Sequence, residues 1–485
     1  MRILFISPPN FRFREAGVQM FPYGPLFLAA VLKKDHDVAF YDAEGRSLEE
    51  QSANAHHHSN YEKLISSHSK YIHALENMDH PVWQEVESVI QDYNPDIIGI
   101  STMTSSYPSA LVVAKKARKI SNAILLMGGV HASLLPGEVI RTGLVDYVIR
   151  GEGEATLLEF IRHMESGTGF SDVNGLTYLK NDKVVHTPDR QFVPDLNCIP
   201  CPDMGALLFK ERYPESCFAN VLGGRGCPHH CHFCANHDIW KKYRMRSADA
   251  IFQEILSIYC NVGKTLYFLD DNFMAMGKTY LEICERMRTQ TPEIMWRCQS
   301  RVDSLSEEKL QIAKESGCWD IKLGIESGSN RILKYMNKRL TVESAIKGCE
   351  RILAKGIQVS ANFMFGLPEE TWEDMQATRE LIVKLPANSV AISKFIPLPG
   401  TKFYRDVVAL GIIKEHPPKY EYFDLYASRY HYPRHVSSAQ LQAFYLEIFE
   451  IVQEKNKATR LGPPENRAKM HSIATVLDFA HRKIQ

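Results

Sequence analysis

Short apolar runs alternate with helical patterns along the first 170 residues of the chain. The runs include RILFIS, HDVAFYDA, DIIGIST, AILLMGG and VDYVIRG, and amphipathic stretches such as ALVVAKKARKI separate them. Buried parallel strands joined by helical crossovers produce this alternation. The sequence therefore predicts an α/β fold, with residues 1–170 forming a Rossmann-like domain.

The same alternation resumes after residue 213. A first strand before GGRGC is followed by TLYFLDDN, IMWRCQSR, WDIKLGIE, QVSANFMFG and SVAISKFIP, which makes six strand-helix units. Six consecutive units are typical of an open or partial TIM-type barrel, predicted here for residues 213–405. The segment 171–212 is predicted to hold a hairpin and a Pro-rich linker, and residues 406–485 a mainly helical C-terminal region.

Length and charge narrow the class of protein. A chain of 485 residues exceeds what one hydrophobic core usually organises. Its 57 Lys and Arg balance 57 Asp and Glu, so no overall field favours nucleic acid or an anionic membrane. Neither an 18-residue apolar stretch nor a signal-peptide pattern is found, so we expect a cytoplasmic protein without a membrane span.

Three of the eleven cysteines lie together in GGRGCPHHCHFC, directly after the first strand of the predicted barrel. Cys227, Cys231 and Cys234 can hold three corners of an iron-sulfur cube and leave one iron open to bind substrate. A structural zinc site is the alternative, in which the same three cysteines are completed by His229, His230, His232 or His237.

CPHHCHFC also resembles the C-x3-C-x-aromatic-C signature of the radical SAM enzymes, with Phe233 in the aromatic position. The resemblance implies a 4Fe-4S cluster on Cys227, Cys231 and Cys234, with its open iron chelated by S-adenosylmethionine. It also implies an electron donor such as flavodoxin or ferredoxin. Further S-adenosylmethionine contacts implied at later strand ends are Asp270 and Asp271 for the amino group, Arg301 for the carboxylate, and Glu326 and Ser327 for ribose or methionine. Each of these could instead be a satisfied polar residue at a barrel rim.

The first half resembles the cobalamin-binding domain of the cobalamin-dependent radical SAM subfamily, on the motifs PYGPLFLAAVL, STMTSS, MGGVHAS and DYVIRGEGEATL. The cobalamin candidates are Ser101, Thr104, Gly128, Gly129, His131, Gly151 and Glu152. The D-x-H-x-x-G pattern that supplies an axial histidine in many cobalamin proteins is missing, because no His stands between Asp42 and Gly45. We therefore expect base-off cobalamin, and we expect His131 to be a local hydrogen-bonding residue.

The resemblance implies a methyltransferase that acts on an unactivated carbon of a small biosynthetic molecule, through a 5'-deoxyadenosyl radical and methylcobalamin. An oxidative cyclase or rearranging enzyme of the tetrapyrrole-cyclase type is the alternative within the subfamily. A zinc-stabilised binding module is the alternative from another class. Methylthiolation is excluded, because it needs a second cluster on N-terminal cysteines and residues 1–197 contain none.

A polar insertion interrupts the first domain near residues 45–79 and carries His56, His57 and His58. We expect a solvated insertion or lid rather than a metal-binding tract.

Overall fold

The computed structural model describes residues 1–14, 21–46, 61–424, 427 and 429–459, with only the backbone described for residues 61–65. His56, His57 and His58 lie outside the described residues. The chain forms two compact units, the first from Met1–Tyr213 with Lys414–Ala427 and the second from Pro214–Ile413 with Ser428–Gln485.

Fifteen strands are found in the described residues. They are β1 Arg2–Ser7, β2 Asp37–Asp42, β3 Ile97–Ser101, β4 Ile124–Gly128, β5 Tyr147–Ile149, β6 Leu176–Lys180, β7 Lys183–His186, β8 Asn220–Val221, β9 Gly224–Arg225, β10 Arg244–Met245, β11 Thr265–Phe268, β12 Met295–Ser300, β13 Cys318–Glu326, β14 Gln358–Phe365 and β15 Ser389–Lys394.

The α-helices are α1 Tyr23–Leu32, α2 Tyr61–Glu76, α3 Pro81–Tyr93, α4 Tyr107–Ile120, α5 Val130–Leu134, α6 Pro136–Arg141, α7 Gly153–Ser166, α8 Asn236–Trp240, α9 Ala248–Asn261, α10 Lys278–Gln290, α11 Glu307–Glu315, α12 Asn330–Tyr335, α13 Val342–Ala354, α14 Trp372–Lys384, α15 Lys402–Ala409 and α16 Ser438–Ala458. Short 3-10 turns occupy Arg12–Arg14, Leu196–Cys198, Met204–Ala206, Lys210–Arg212, Glu215–Phe218, Phe273–Met276, Val302–Ser304 and Tyr420–Tyr422. None of the described helices is long and apolar enough to cross a membrane.

The first unit is built on a seven-stranded sheet in the order β2-β1-β3-β4-β5-β6-β7. Strands β1 to β5 are parallel, as the alternation predicts, and the strand order changes direction between β1 and β3. Open sheets of this kind bind ligands at the carboxyl ends of the strands next to such a switch point. The predicted hairpin, β6 and β7, adds two antiparallel strands to the same sheet rather than standing apart from it in a linker.

The second unit contains a six-stranded parallel sheet in the order β15-β14-β13-β12-β11-β8. This confirms the predicted partial barrel of six strands. The central strand β13 is buried over all nine of its residues. Its Asp320 pairs with Arg297 of β12 at 3.0 Å, because a carboxylate buried at this depth requires a charged partner.

Most helices of the second unit begin after a Ser or Thr whose side chain accepts a backbone N–H of the first turn. Thr341, Thr371 and Ser437 form reciprocal capping boxes at the starts of α13, α14 and α16. The caps satisfy backbone N–H groups at the helix starts. Helices α13 and α14 join parallel neighbouring strands, so the carboxyl ends of β13, β14 and β15 meet at one edge.

The C-terminal region divides between the two units. Lys414–Ala427 belongs to the first unit, whereas α16 packs on the edge strand of the second. Asn456 of α16 bonds both backbone groups of Val390, at 2.8 Å each, and so covers part of the exposed edge of β15.

Candidate active site

The cluster loop, residues 222–235, begins where β8 ends. Gly226 has φ +92°, and a Cβ atom there would lie 2.6 Å from the Lys242 carbonyl oxygen. A Cβ at Gly224 would lie 2.7 Å from the Arg244 carbonyl oxygen. Glycine is therefore required at both positions, because the loop runs against the backbone of the strand β10 and the residues before it.

Asp270, at the end of β11, fixes the start of this loop. Its two carboxylate oxygens accept the N–H groups of Gly223 at 2.9 Å and Gly224 at 2.7 Å. Burial raises the pKa of Asp270 to about 7, although these two hydrogen bonds act in the opposite direction. Asp270 is not among the residues that line the cavity described next, and the loop engages both of its carboxylate oxygens. Its contact with the amino group of S-adenosylmethionine stays a prediction.

A small open cavity of about 40 Å³ lies at the carboxyl edge of the second sheet. The three cysteines of the motif line it together with three other residues that the sequence predicted, Phe233, Asp271 and Arg301. The remaining lining residues are His229, Asn236, Gln299, Ser300, Gly324 and Lys338. The structure therefore brings most of the predicted second-half site to one place.

The three cysteines are unpaired and partly exposed. Burial raises the pKa of the Cys227 thiol to about 11 and that of Cys234 well above its usual range. Neighbouring Asp271 adds to both effects, and burial likewise raises its own pKa to about 7. Thiols in this environment lose their protons when they bind a metal ion, because its positive charge stabilises the thiolates.

Arg301 follows β12 and is buried at the cavity wall. Its Nε and Nη2 donate to the two oxygens of Asp303 at 2.9 and 2.8 Å, and Nη2 also donates to the Lys338 carbonyl. Its Nη1 donates to the Sγ of Cys231 at 3.4 Å. The guanidinium of Arg301 therefore lies beside Cys231, and the Asp303 carboxylate binds two of its nitrogens.

Lys338 is a cavity residue that sequence reasoning missed. Its ammonium lies 2.8 Å from the Oε1 of Glu326, with both side chains buried, and 5.7 Å from the centre of the Phe233 ring. Glu326 is not among the residues that line the cavity, and it contacts Lys338, which is. A Cβ at Gly324 would lie 2.3 Å from that Glu326 oxygen and 2.8 Å from Nζ, so only glycine leaves room for the pair.

Ser327 lies away from the cavity. Its hydroxyl lies 3.2 Å from the Thr378 hydroxyl and accepts the Ser329 N–H, so it joins β13 to α14. Gln299 and Ser300, also missed, precede Arg301 at the end of β12. Their position at a strand end can be recognised in the sequence and indicates a site residue. Lys338 follows a helix, so its position gives no such indication.

The cobalamin candidates gather at the carboxyl edge of the first sheet. Ser101 and Gly128 end β3 and β4 and are paired in register. Gly129 has φ +96°, and a Cβ there would lie 2.6 Å from the Thr102 carbonyl oxygen. The close approach that requires glycine is therefore to the β3 loop rather than to a ligand. A Cβ at Gly128, by contrast, would meet no atom closer than 3.7 Å.

His131 is enclosed within the first unit. Its ring stacks on Tyr107 with centroids 4.0 Å apart and meets the edge of Tyr420 at 4.7 Å. Nδ1 lies 3.3 Å from the Thr104 hydroxyl. Burial lowers the pKa of His131 to about 3, so the ring is neutral.

Gly151 and Glu152 follow β5. The Gly151 N–H donates to Ser133 at 2.9 Å, and no atom lies within 4 Å of its Cβ position. Glu152 accepts the Val193 N–H at 2.9 Å and so ties the segment after the hairpin to this edge. Glycines with open space above them and hydroxyls at neighbouring strand ends suit a large ligand lying across the edge.

Comparisons with known proteins match both halves. Residues 10–161 match the profile of the B12 binding domain, and residues 221–382 that of the radical SAM superfamily. An uncharacterised methyltransferase from Pyrococcus horikoshii is 29% identical over 420 residues, which cover 85% of this chain and 84% of that protein. The anaerobic magnesium-protoporphyrin IX monomethyl ester cyclase of Rubrivivax gelatinosus is 26% identical over 84% of this chain and 70% of its own length.

The fold is similar to that of the cobalamin-dependent S-adenosylmethionine radical enzyme OxsB, solved with aqua-cobalamin and S-adenosylmethionine bound. The TM-score is 0.68 at 17% identity, and the match covers 99% of this chain and 72% of that one. The chain belongs to the cobalamin-dependent radical SAM enzymes.

The cofactors of this family are a 4Fe-4S cluster, S-adenosylmethionine and cobalamin, and the donor set of the cluster loop fits the first of them. Among the residues that the structure describes, no three His, Cys, Asp or Glu side chains form a group that could hold a single metal ion. Three cysteines spread around one cavity suit a cluster, which offers a separate iron to each thiolate. The radical SAM match spans all three cysteines and so favours the 4Fe-4S cluster over the zinc alternative.

Proposed function

We propose that this radical SAM enzyme is a cobalamin-dependent methyltransferase that acts on an unactivated carbon of a small biosynthetic molecule. The observation that carries the proposal is the cavity itself. Cys227, Cys231 and Cys234 line it beside Arg301 and Lys338, at the edge of the sheet where parallel barrels place their chemistry.

The three cysteines are the proposed cluster ligands, each binding one iron and leaving the fourth open to S-adenosylmethionine. When bound, the cluster supplies an electron that cleaves S-adenosylmethionine to a 5'-deoxyadenosyl radical, and cobalamin carries the methyl group.

The chain's own residues orient the co-substrate. Phe233, Asp271, Gln299, Ser300, Arg301 and Lys338 are the proposed contacts of S-adenosylmethionine. Asp271 is half-buried at the cavity and offers a carboxylate toward a cationic amino group, and Lys338 offers an ammonium toward a carboxylate. Asp270 and Glu326 act indirectly, by holding the cluster loop and Lys338. Ser327 supports the joint between β13 and α14.

For cobalamin, the proposed contacts are Ser101, Gly128, Gly151 and the backbone of the loop that Gly129 holds close to Thr102. His131 and Thr104 are proposed to stabilise this edge without contacting cobalamin. The His131 ring packs between Tyr107 and Tyr420, and its Nδ1 lies beside the Thr104 hydroxyl. We therefore propose base-off binding without a histidine ligand.

An electron donor such as flavodoxin or ferredoxin is the proposed protein partner. We also propose a reducing compartment such as the cytoplasm, because none of the eleven cysteines, all of which the structure describes, forms a disulfide bond.

Oxidative cyclisation or rearrangement is the second candidate, because the Rubrivivax cyclase matches most of this chain. Methylation is preferred because the methyltransferase relative matches with higher identity and greater coverage of its own length.

Anaerobic reconstitution with iron, sulfide and cobalamin tests the enzyme class. We expect about four irons per chain and reductant-dependent formation of 5'-deoxyadenosine from S-adenosylmethionine. Stoichiometric zinc without iron uptake would instead establish a zinc-stabilised binding module.

A further inference from the structure

Asp303 and the Lys338 carbonyl hold the guanidinium of Arg301 in one orientation. Asp303 engages the edge formed by Nε and Nη2, and the Lys338 carbonyl accepts a second bond from Nη2. Three of the five N–H groups are therefore committed before any ligand binds. The remaining terminal nitrogen, Nη1, donates to the sulfur of Cys231 at 3.4 Å.

We propose that Arg301 is a positioning residue for the cluster, and that its bond to Cys231 raises the reduction potential of the bound 4Fe-4S centre. The inference rests on the proposed ligation of the cluster by Cys227, Cys231 and Cys234. It assigns Arg301 a contact with the cysteine sulfur in addition to its proposed contact with S-adenosylmethionine.

The physical basis is the charge that the cluster gains. Reduction adds one electron, which an external donor supplies, and part of the added charge resides on the cysteine sulfurs. A cationic donor beside one sulfur stabilises the reduced form more than the oxidised form. The guanidinium group remains charged at any accessible pH. Because Arg301 is buried, solvent screens its charge only weakly.

Asp303 reduces the net charge of the pair without cancelling the effect. Its oxygens bind the edge of the guanidinium that lies away from Nη1, so the positive group is the one in contact with the sulfur. Second-layer carboxylates orient donors and ligands at metal centres in this manner. Asp303 is therefore the group that holds Arg301 toward Cys231.

An EPR-monitored redox titration of the reconstituted full-length enzyme, without S-adenosylmethionine, tests the inference. In Arg301→Gln we expect reduction to become at least tenfold less favourable, which for a one-electron couple is 59 mV toward more negative potential. Arg301→Lys, which keeps the charge but loses the fork, should fall between the two. Arg288→Gln is the matched control, since it removes the same charge from an exposed residue of α10 and should leave the potential unchanged.

A measurement on the unmodified sequence covers the case in which the variants do not assemble a cluster. Protein labelled with 15N in its arginine guanidinium groups should show a nitrogen coupling to the reduced cluster in pulsed EPR. No coupling, or equal potentials in the wild type and Arg301→Gln, would overturn the role of Arg301 while leaving the cluster assignment intact. A wild-type protein that takes up no iron would overturn both.

Discussion

Cys227, Cys231 and Cys234 share a cavity, and this position separates them from the other cysteines of the chain. Replacing any one of them with alanine should abolish stable cluster binding, because two thiolates leave two irons of the cube without a protein ligand. Iron and sulfide content after anaerobic reconstitution provides the measurement. A single variant that retains four irons would contradict the ligand assignment.

Cys284 and Cys349 are the matched controls for this series. Both are buried in helices, α10 and α13, and we expect alanine there to lower stability by on the order of 1 kcal/mol without affecting iron uptake. The helical pattern around Cys260 predicts a small core residue there as well, but the structure shows that this prediction is wrong. It lies near the end of α9 and is exposed.

Gly324 controls the buried ion pair at the cavity wall. Gly324→Ala should displace Glu326 or Lys338 and reduce both thermal stability and affinity for S-adenosylmethionine. An overpacking cost of about 1–3 kcal/mol is expected. Iron content should remain normal, since the cysteines are not involved.

The control is Gly263→Ala, because a Cβ there meets no atom within 4 Å. Thermal melts and calorimetric titration of both variants, with the wild type alongside, separate a local clash from a general effect of alanine. A Gly324→Ala protein as stable as the wild type would show that the pair does not need the space.

His131 provides the residue-level test of base-off cobalamin. His131→Ala should leave the absorption spectrum of bound cobalamin unchanged, because Tyr107 and Tyr420 enclose the ring. Gly129→Val should prevent loading, because its side chain would collide with the Thr102 backbone. If His131→Ala altered the cobalt spectrum, a histidine ligand would have to be assigned.

Sequence patterns predicted the residues whose role depends on local spacing. The cysteines, Phe233 and Arg301 lie in or beside strand ends and reach the cavity as expected. Lys338 was not predictable, because Asn337 and Arg339 on either side have φ of 56° and 51° and turn it inward after α12. No periodic pattern encodes a left-handed turn of this kind at non-glycine residues.

At the scale of elements, the parallel strands were predictable because each is an apolar run bounded by a helix. By contrast, the sequence did not predict that Lys414–Ala427 belongs to the first unit. Tyr420 of that segment donates to Glu138 at 3.0 Å and packs on His131, contacts that join residues more than 280 positions apart. Such pairings depend on the folded arrangement of the first unit and leave no local signal.

The loop after β14 makes stability depend on pH. Glu370 is fully buried and accepts the N–H groups of Gly366 at 2.6 Å and Leu367 at 3.2 Å. Burial raises the pKa of Glu370 from 4.5 to about 8. Between these values the folded state binds more protons than the unfolded state, so this group's contribution to stability is lost as pH rises toward 8.

Glu370→Gln should therefore flatten the decline in unfolding free energy between pH 4.5 and 8. The difference is at most about 1.4 kcal/mol per pH unit. Denaturant unfolding at several pH values measures it, with Glu380→Gln on the exposed face of α14 as the control. An unchanged slope in Glu370→Gln would show that this carboxyl does not titrate in that window.

For the whole molecule, the order of the two matched domains agrees with the order of the motifs along the chain. The B12 binding match and the radical SAM match fall within the ranges predicted from MGGVHAS and CPHHCHFC and their neighbours. Neither motif distinguishes methylation from cyclisation, because both reactions use the same cofactors. That choice depends on the substrate, which no local pattern specifies.

The most direct test of the central claim is a count of the two products of S-adenosylmethionine. Reconstituted enzyme is incubated anaerobically with cobalamin, a strong reductant, candidate substrates and S-adenosylmethionine labelled in its methyl group. A methyltransferase of this type should form S-adenosylhomocysteine and 5'-deoxyadenosine in near-equal amounts, with the label transferred to the product. Substrate-dependent 5'-deoxyadenosine without S-adenosylhomocysteine or label transfer would contradict methylation and establish the cyclase-type reaction.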